Sequence, residues 1–162
     1  MEILIRKATL ADVDAITAVE AECFPEAEAA KREDFEKRLK AYGDRFWLLF
    51  ADGELVSFVD GPLTAESELR DEMFADTSFH RADGEWQMIF GVCTLPQYRK
   101  KGFAARLLRT AIEESRAEGR KGVVLTCKDA LLSFYASLGF VSEGESESNH
   151  GGASWNQMRI KF

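Results

Sequence analysis

The sequence predicts a single α/β (α+β) domain over residues 1–162, with a mixed, mostly antiparallel sheet flanked by helices on both sides. Three observations lead there. Apolar, β-branched runs bounded by turn residues alternate with longer runs whose apolar residues recur at helical spacing. Asp52-Gly53 separates two apolar runs by the dipeptide that favours a tight hairpin, which makes that part of the sheet antiparallel. Beyond residue 85, strand-like and helix-like runs follow one another singly, which places helices on both faces.

Glu2 to Lys7 is rich in Ile and Leu and alternates loosely, the pattern of a first strand. Thr9 then caps a helix that carries Val13, Ile16, Ala18 and Val19 and ends near Phe24-Pro25. Glu28 to Tyr42 predicts a second, highly charged helix with Phe35 and Leu39 on its buried side and Gly43 as its stop. The hairpin pairs Phe46 to Ala51 with Leu55 to Asp60. Gly61-Pro62 breaks the sheet edge, and Glu66 to Phe74 predicts a short helix inside a long connection ending at Asp83-Gly84. Connections of that length often serve as lids or walls.

Trp86 to Cys93 reads as one central strand, with Trp86, Met88, Phe90 and Val92 on one face and Gln87, Ile89, Gly91 and Cys93 on the other. Ala104, Leu107, Leu108, Ala111, Ile112 and Ser115 mark one face of a helix closed by Gly119. Val123 to Cys127 is a short buried strand. Asp129 caps the next helix, whose stripe is Leu131, Phe134, Tyr135 and Leu138 and which Gly139 ends. Phe140 to Glu145 and Ala153 to Phe162 close the sheet as an antiparallel pair, and an open sheet edge makes a homodimer reasonable.

Composition narrows the function. Apolar residues make up 46% and charged residues 30% of the chain, with only three prolines, the balance of a folded soluble domain. The longest apolar runs fall far short of a bilayer span, and Met1-Glu2-Ile3-Leu4-Ile5-Arg6 has no basic region followed by an apolar stretch. Neither a membrane role nor export is expected, and the expected location is cytoplasmic. The three cysteines, Cys23, Cys93 and Cys127, are odd in number and widely spaced, which suits buried thiols in a reducing compartment rather than a disulfide framework. No cluster has metal-ligand spacing, so no metal is expected. A net charge of −7 with one small basic cluster argues against nucleic acid as a partner.

That cluster is Arg99-Lys100-Lys101-Gly102-Phe103-Ala104, set between a strand-like run and a helix-like run. A glycine-containing turn that opens a helix leaves successive backbone N–H groups unpaired and pointing outward. With the helix dipole they favour a phosphate or pyrophosphate. Gly102 lets the backbone come close to such a ligand, and Ala104 adds almost no bulk. The same residues would also serve as a solvated charged turn.

This turn resembles the R/Q-x-x-G-x-G/A element of the GNAT superfamily of N-acetyltransferases. Leu125-Thr126-Cys127-Lys128-Asp129-Ala130-Leu131-Leu132-Ser133-Phe134-Tyr135-Ala136-Ser137-Leu138-Gly139-Phe140 is similar to that family's late strand, helix and Gly-Phe turn. The resemblance covers nearly the whole chain, least between residues 61 and 84. Within the superfamily, the Cys127 to Phe140 segment and Gly151-Gly152-Ala153-Ser154-Trp155 resemble the arylalkylamine (serotonin) N-acetyltransferases.

The resemblance implies the GNAT acyl-CoA N-acyltransferase fold, acetyl-CoA as cosubstrate and acetyl transfer to an amine. It implies that Arg99, Lys100, Lys101, Gly102, Phe103 and Ala104 hold the pyrophosphate. The pantetheine arm would then run along Ile89 to Thr94, so that Val92, Cys93 and Thr94 bind cofactor and N–H groups near Val92 face the developing oxyanion. Tyr135 matches the family's general acid, and a phenol pKa of about 10 suits protonation of a thiolate. As a residue on an apolar stripe it also fits a core aromatic. The arylalkylamine enzymes carry two histidines where this chain has Trp86 and Met88, which removes the expected proton relay. Both residues fit an apolar wall of the acceptor site or plain core. An alkylammonium is free amine only to roughly one part in a thousand at neutral pH, so a base is needed. Candidates are Glu72, His80, Glu85, His150 or a water chain. Phe24, Pro25 and Trp155 are the candidate acceptor contacts, and an aromatic pocket favours an aryl- or alkylamine. The expected activity is acetylation of a small-molecule primary amine by direct attack. The alternatives are a peptide N-terminal or lysine acetyltransferase and a non-catalytic acetyl-CoA sensor.

Overall fold

The structure, a computed structural model, describes residues 1–162. In chain order its elements are β1 (Ile3–Lys7), α1 (Val13–Cys23), α2 (Arg32–Tyr42), β2 (Phe46–Ala51), β3 (Glu54–Asp60), β4 (Leu63–Thr64), α3 (Glu72–Ala75), β5 (Trp86–Ile89), β6 (Gly91–Thr94), α4 (Phe103–Ala117), β7 (Gly122–Cys127), α5 (Leu132–Ser137), β8 (Val141–Glu145) and β9 (Asn156–Lys161). They form two compact units. The first comprises residues 1–61 and 91–111, the second residues 62–90 and 112–162.

The first unit holds an antiparallel sheet in the order β1-β2-β3-β6. The β2–β3 turn has both Asp52 and Gly53 at positive φ (49° and 85°), the backbone of the expected hairpin. Ile16 and Val19 of α1 and Phe35, Leu39 and Tyr42 of α2 are buried. Phe35 meets Phe46 and Phe58 edge-on at 6.3 and 5.9 Å, so α2 packs across the hairpin. Ala18, expected in this core, is exposed. Glu20 is buried in its place, because the inward stripe from Val13 and Ile16 runs on through position 20.

The second unit holds the sheet β4-β5-β7-β9-β8, in which only β5 and β7 pair in parallel. Its core includes Leu69, Met73, Met88 and Val124, with Phe74, Phe79, Trp86 and Phe90 packed against them.

Several sequence expectations need correction. Thr9 caps a 3₁₀ turn, Leu10–Asp12, rather than α1 itself; the Asp12 carboxylate accepts from the Thr9 amide at 2.8 Å. α2 begins at Arg32, because residues 25–29 spend their hydrogen bonds in a turn in which the Pro25 carbonyl accepts from Glu28 and Ala29. α2 ends at Gly43 as expected, though Gly43 caps it at φ −53° and opens a 3₁₀ turn rather than taking the left-handed conformation. The helix expected over Glu66 to Phe74 is confined to Glu72–Ala75. The stretch Trp86 to Cys93 is not one strand. It breaks at Phe90 into β5 and β6, which pair in different sheets, and both faces of β5 are buried from Gln87 to Ile89. Asp129 does not cap α5; it lies in the 3₁₀ turn Asp129–Leu131, and its Oδ1 accepts from Asn156 Nδ2 at 2.6 Å. Leu131, expected on the buried stripe, is 45% exposed.

Candidate active site

In the first unit, β6 leads through the 3₁₀ turn Pro96–Tyr98 to the basic turn and α4. The Arg99 guanidinium turns back, its Nε donating to the Thr94 carbonyl at 3.1 Å. Tyr98 pins the connection by donating its hydroxyl hydrogen to Glu54 Oε1 at 3.1 Å. Lys100 stands at φ 65° and Gly102 at φ 80°. A Cβ on Gly102 would meet nothing within 4 Å, so glycine is required here by its backbone conformation rather than by crowding. Lys100, Lys101 and Gly102 are exposed, whereas Phe103 is buried and anchors the start of α4. No carboxylate lies in the first turn of this 15-residue helix, so its positive end is not offset from within. The arrangement is electropositive: two exposed lysines stand beside a helix N-terminus. Residues of β6 lead into it: Cys93 is buried, and Val92 and Thr94 are half-buried. Phe24, half-buried, and Pro25, exposed, follow α1 in the same unit.

In the second unit, Tyr135 is buried, with its ring edge-on to Phe134 at 5.1 Å and Phe140 at 5.8 Å. Trp155 is half-buried, donates from its indole to the His150 carbonyl at 2.9 Å and lies 6.1 Å from the His150 ring. His150 stacks on Phe74 at 4.6 Å, and Phe74 packs on Phe90 at 4.5 Å. The structure thus unites two expected residues, His150 and Trp155, with two unexpected ones in an aromatic row. Met88 is fully buried, which places it in the core. Trp86 is half-buried beneath the Arg159 guanidinium, 4.7 Å from the ring centre.

The candidate bases divide. His80 Nδ1 accepts from the Leu63 amide at 3.1 Å, which ties that nitrogen to the backbone. Glu85 pairs with Lys121 Nζ at 2.8 Å, and Glu72 with Arg70 at 3.5 Å.

Glu72 lines a cleft of about 640 Å³ with Glu68, Asp71, Glu143, Glu145 and Glu147. Asp71 closes one side by accepting from Ser148 Oγ at 2.5 Å and the Asn149 amide at 3.2 Å. The cleft wall therefore runs along the chain into Phe74 and His150. Sequence reasoning missed this cleft. Its signal was the alternation Glu143-x-Glu145-x-Glu147, which puts like charges on one side of an extended segment.

A model of the Acetyltransferase (GNAT) family matches residues 13–140. The chain belongs to that family. It is thus an acyltransferase, an acyl-CoA-dependent N-acetyltransferase by family. Solved GNAT-type structures share its fold. The loading GNATL domain of CurA from Lyngbya majuscula is 14% identical, with 99% of this chain and 98% of that one covered at a TM-score of 0.84. The GphF GNAT-like decarboxylase in complex with isobutyryl-CoA is 21% identical, with 98% of each chain covered and a TM-score of 0.84. The PaiA N-acetyltransferase of Thermoplasma acidophilum in complex with coenzyme A is 19% identical, with 100% of both chains covered and a TM-score of 0.74. No helix in this GNAT chain is long and apolar enough to cross a membrane.

Proposed function

We propose that this GNAT protein transfers the acetyl group of acetyl-CoA to the primary amine of a small molecule, by direct attack and without a covalent enzyme intermediate. The acidic cleft of the second unit carries the acceptor reading. A primary amine is a cation at neutral pH, and six carboxylates against a single arginine, Arg70, around about 640 Å³ leave a cleft that suits a cationic molecule of metabolite size. The row Phe74, His150 and Trp155 supports an aryl or alkyl body behind the ammonium.

The donor's thioester supplies the acyl group. The open turn before α4 fits its pyrophosphate: Lys100, Lys101 and the N–H groups from Gly102 to Ala104 would hold it, with no nearby carboxylate of α4 to repel it. Val92, Cys93 and Thr94 of β6 would take the pantetheine arm, and Tyr135 would protonate the departing thiolate. Among the candidate bases, Glu72 at the cleft and His150 in the aromatic row stand where the acceptor amine would enter.

The test is thiol release from acetyl-CoA with arylalkylamines, polyamines, amino sugars and short peptides. Turnover is expected with a small amine, and Glu72→Gln should raise its KM. Tyr135→Phe should lower kcat about 100-fold with coenzyme A affinity nearly unchanged. Turnover confined to peptides would overturn the acceptor reading, and coenzyme A binding without turnover would support a sensor.

A further inference from the structure

Two of the three cysteines lie together in the first unit. Cys23 ends α1 and is half-buried; its Sγ lies 3.3 Å from the Thr94 carbonyl oxygen, which also accepts from Arg99 Nε. Cys93 is buried on β6, and its Sγ lies 3.2 Å from Glu20 Oε1. Glu20 and Cys23 stand three positions apart on one side of α1, so both reach β6. The Thr94 carbonyl beside Cys23 belongs to the residue after Cys93, so the two side chains are neighbours where α1 meets β6.

We propose that Cys23 and Cys93 form a dithiol site that exchanges with low-molecular-weight disulfides, Cys23 being the attacking sulfur and Cys93 the resolving one. The Cys23 thiolate attacks one sulfur of a disulfide such as glutathione disulfide. A mixed disulfide forms on Cys23, and one glutathione thiolate leaves and takes a proton from water. Cys93 then gives its proton to the Glu20 carboxylate and attacks the Cys23 sulfur. The Cys23–Cys93 disulfide forms and the second glutathione thiolate leaves, so the protein pair loses two electrons and glutathione disulfide gains them.

The surroundings divide the two roles. Hydrogen bonding from Cys93 and the Arg99 guanidinium bring the Cys23 thiol down to about 7, outweighing the opposing effect of burial. Burial, the hydrogen bond to Cys23 and the charge of Glu20 push Cys93 well above the ordinary thiol range, so it stays protonated until the mixed disulfide is beside it. A half-buried, acidic thiol beside a fully buried partner is the pattern of a redox-sensitive pair. Cys127, in the second unit, is pushed up to about 11 by burial and serves as an internal control.

The experiment treats the full chain with glutathione disulfide and reads free thiols and masses. The unmodified sequence should lose two alkylatable thiols and become lighter by two hydrogens, with Cys127 still alkylatable. Cys93→Ser should stop at one glutathione on Cys23, and Cys23→Ser should take up none. In the unmutated protein, iodoacetamide alkylation of Cys23 should rise with a midpoint of about 7 and exceed that of Cys127 at least 10-fold at neutral pH. Modification of Cys127 ahead of Cys23, an alkylation midpoint at the ordinary thiol value of about 8.5, or no mixed disulfide in folded Cys93→Ser would overturn the proposal. The alkylation profile needs no variant, so misfolding of either serine variant leaves the site testable.

Discussion

Each unit buries an arginine against a carboxylate, and the two pairs behave oppositely. In the first unit, Arg38 Nη1 lies 3.6 Å from Asp60 Oδ2, with the two side chains 6% and 0% exposed. Neither oxygen of Asp60 has a well-formed hydrogen bond, and the Gly91 backbone gives it only weak support. Burial pushes the Asp60 carboxyl up to about 7; Arg38 pulls it down without compensating, and the charge of Glu20 pushes it up further. In the second unit, Arg159 is equally buried, but its Nε donates to Glu143 Oε2 at 2.8 Å and its Nη2 to Glu143 Oε1 at 3.0 Å, and Glu143 is 36% exposed. Gln157 adds a hydrogen bond at 2.7 Å, and the Glu143 carboxyl is held below its usual range, chiefly by the bond from Arg159. Charge types and arginine burial match. What differs is whether the carboxylate keeps water and hydrogen bonds, and that decides the sign of its shift.

The strongest test of this difference removes an arginine. Arg38→Met should cost about 3–5 kcal/mol at pH 8, because it leaves Asp60 buried without its counter-charge. The loss should shrink near pH 6, where Asp60 takes a proton in the folded state. Urea unfolding at the two pH values measures both. An equal loss at pH 6 and pH 8 would show that Asp60 is not the group left unpaired.

A second effect, spread over the acidic pH range, comes from Asp60→Asn. The folded-state value of about 7 lies above the ordinary 3.8, so between them the folded chain binds more protons than the unfolded one. This carboxyl therefore lowers stability as pH rises from about 4 to about 7, by up to roughly 1.4 kcal/mol per pH unit, and adds nothing further above that. Asn does not titrate. The difference in stability between the variant and the parent should thus change across pH 4 to 7 and stay flat from pH 8 to 9. A flat difference throughout would mean that Asp60 keeps an ordinary carboxylate value.

The contrast also explains what the sequence could show. The basic turn from Arg99 to Ala104, the Asp52-Gly53 hairpin and the start of α4, one residue before the expected Ala104, rest on local rules of backbone conformation, which a few neighbouring residues state almost in full. Asp60 and Glu20 rest on distant chain. A Cβ at Gly91 would meet Asp60 Oδ1 at 2.6 Å and Glu20 Oε1 at 3.7 Å, so the glycine makes room for two carboxylates from elsewhere in the sequence. Each acid alone reads as solvated. The break at Phe90 was hidden for a related reason: an apolar run scans the same whether one sheet pairs with it or two, and only partner strands decide. The aromatic row of Phe74, Phe90, His150 and Trp155 likewise joins three separate stretches, which no local pattern brings together.

The smallest expected effect tests the solvated side of the comparison. Glu143→Gln keeps the shape of the side chain and removes its charge, while Arg159 retains Glu68 at 3.4 Å and the face of Trp86. Because Glu143 is partly in water and Glu68 is 63% exposed, solvent and salt screen both partners. The loss at pH 7 should stay below about 1 kcal/mol and fall further at 1 M salt. Its pH dependence has the opposite sign to that of Asp60. A carboxyl held below its ordinary 4.5 contributes fully above that value and loses its contribution as pH falls through the lower folded-state value. Parent and variant should therefore converge in acid and separate toward neutrality. A loss above about 2 kcal/mol that ignores salt would mean that exposure of the carboxylate is not what separates the two pairs, and the buried guanidinium of Arg159 would then have to carry the cost alone.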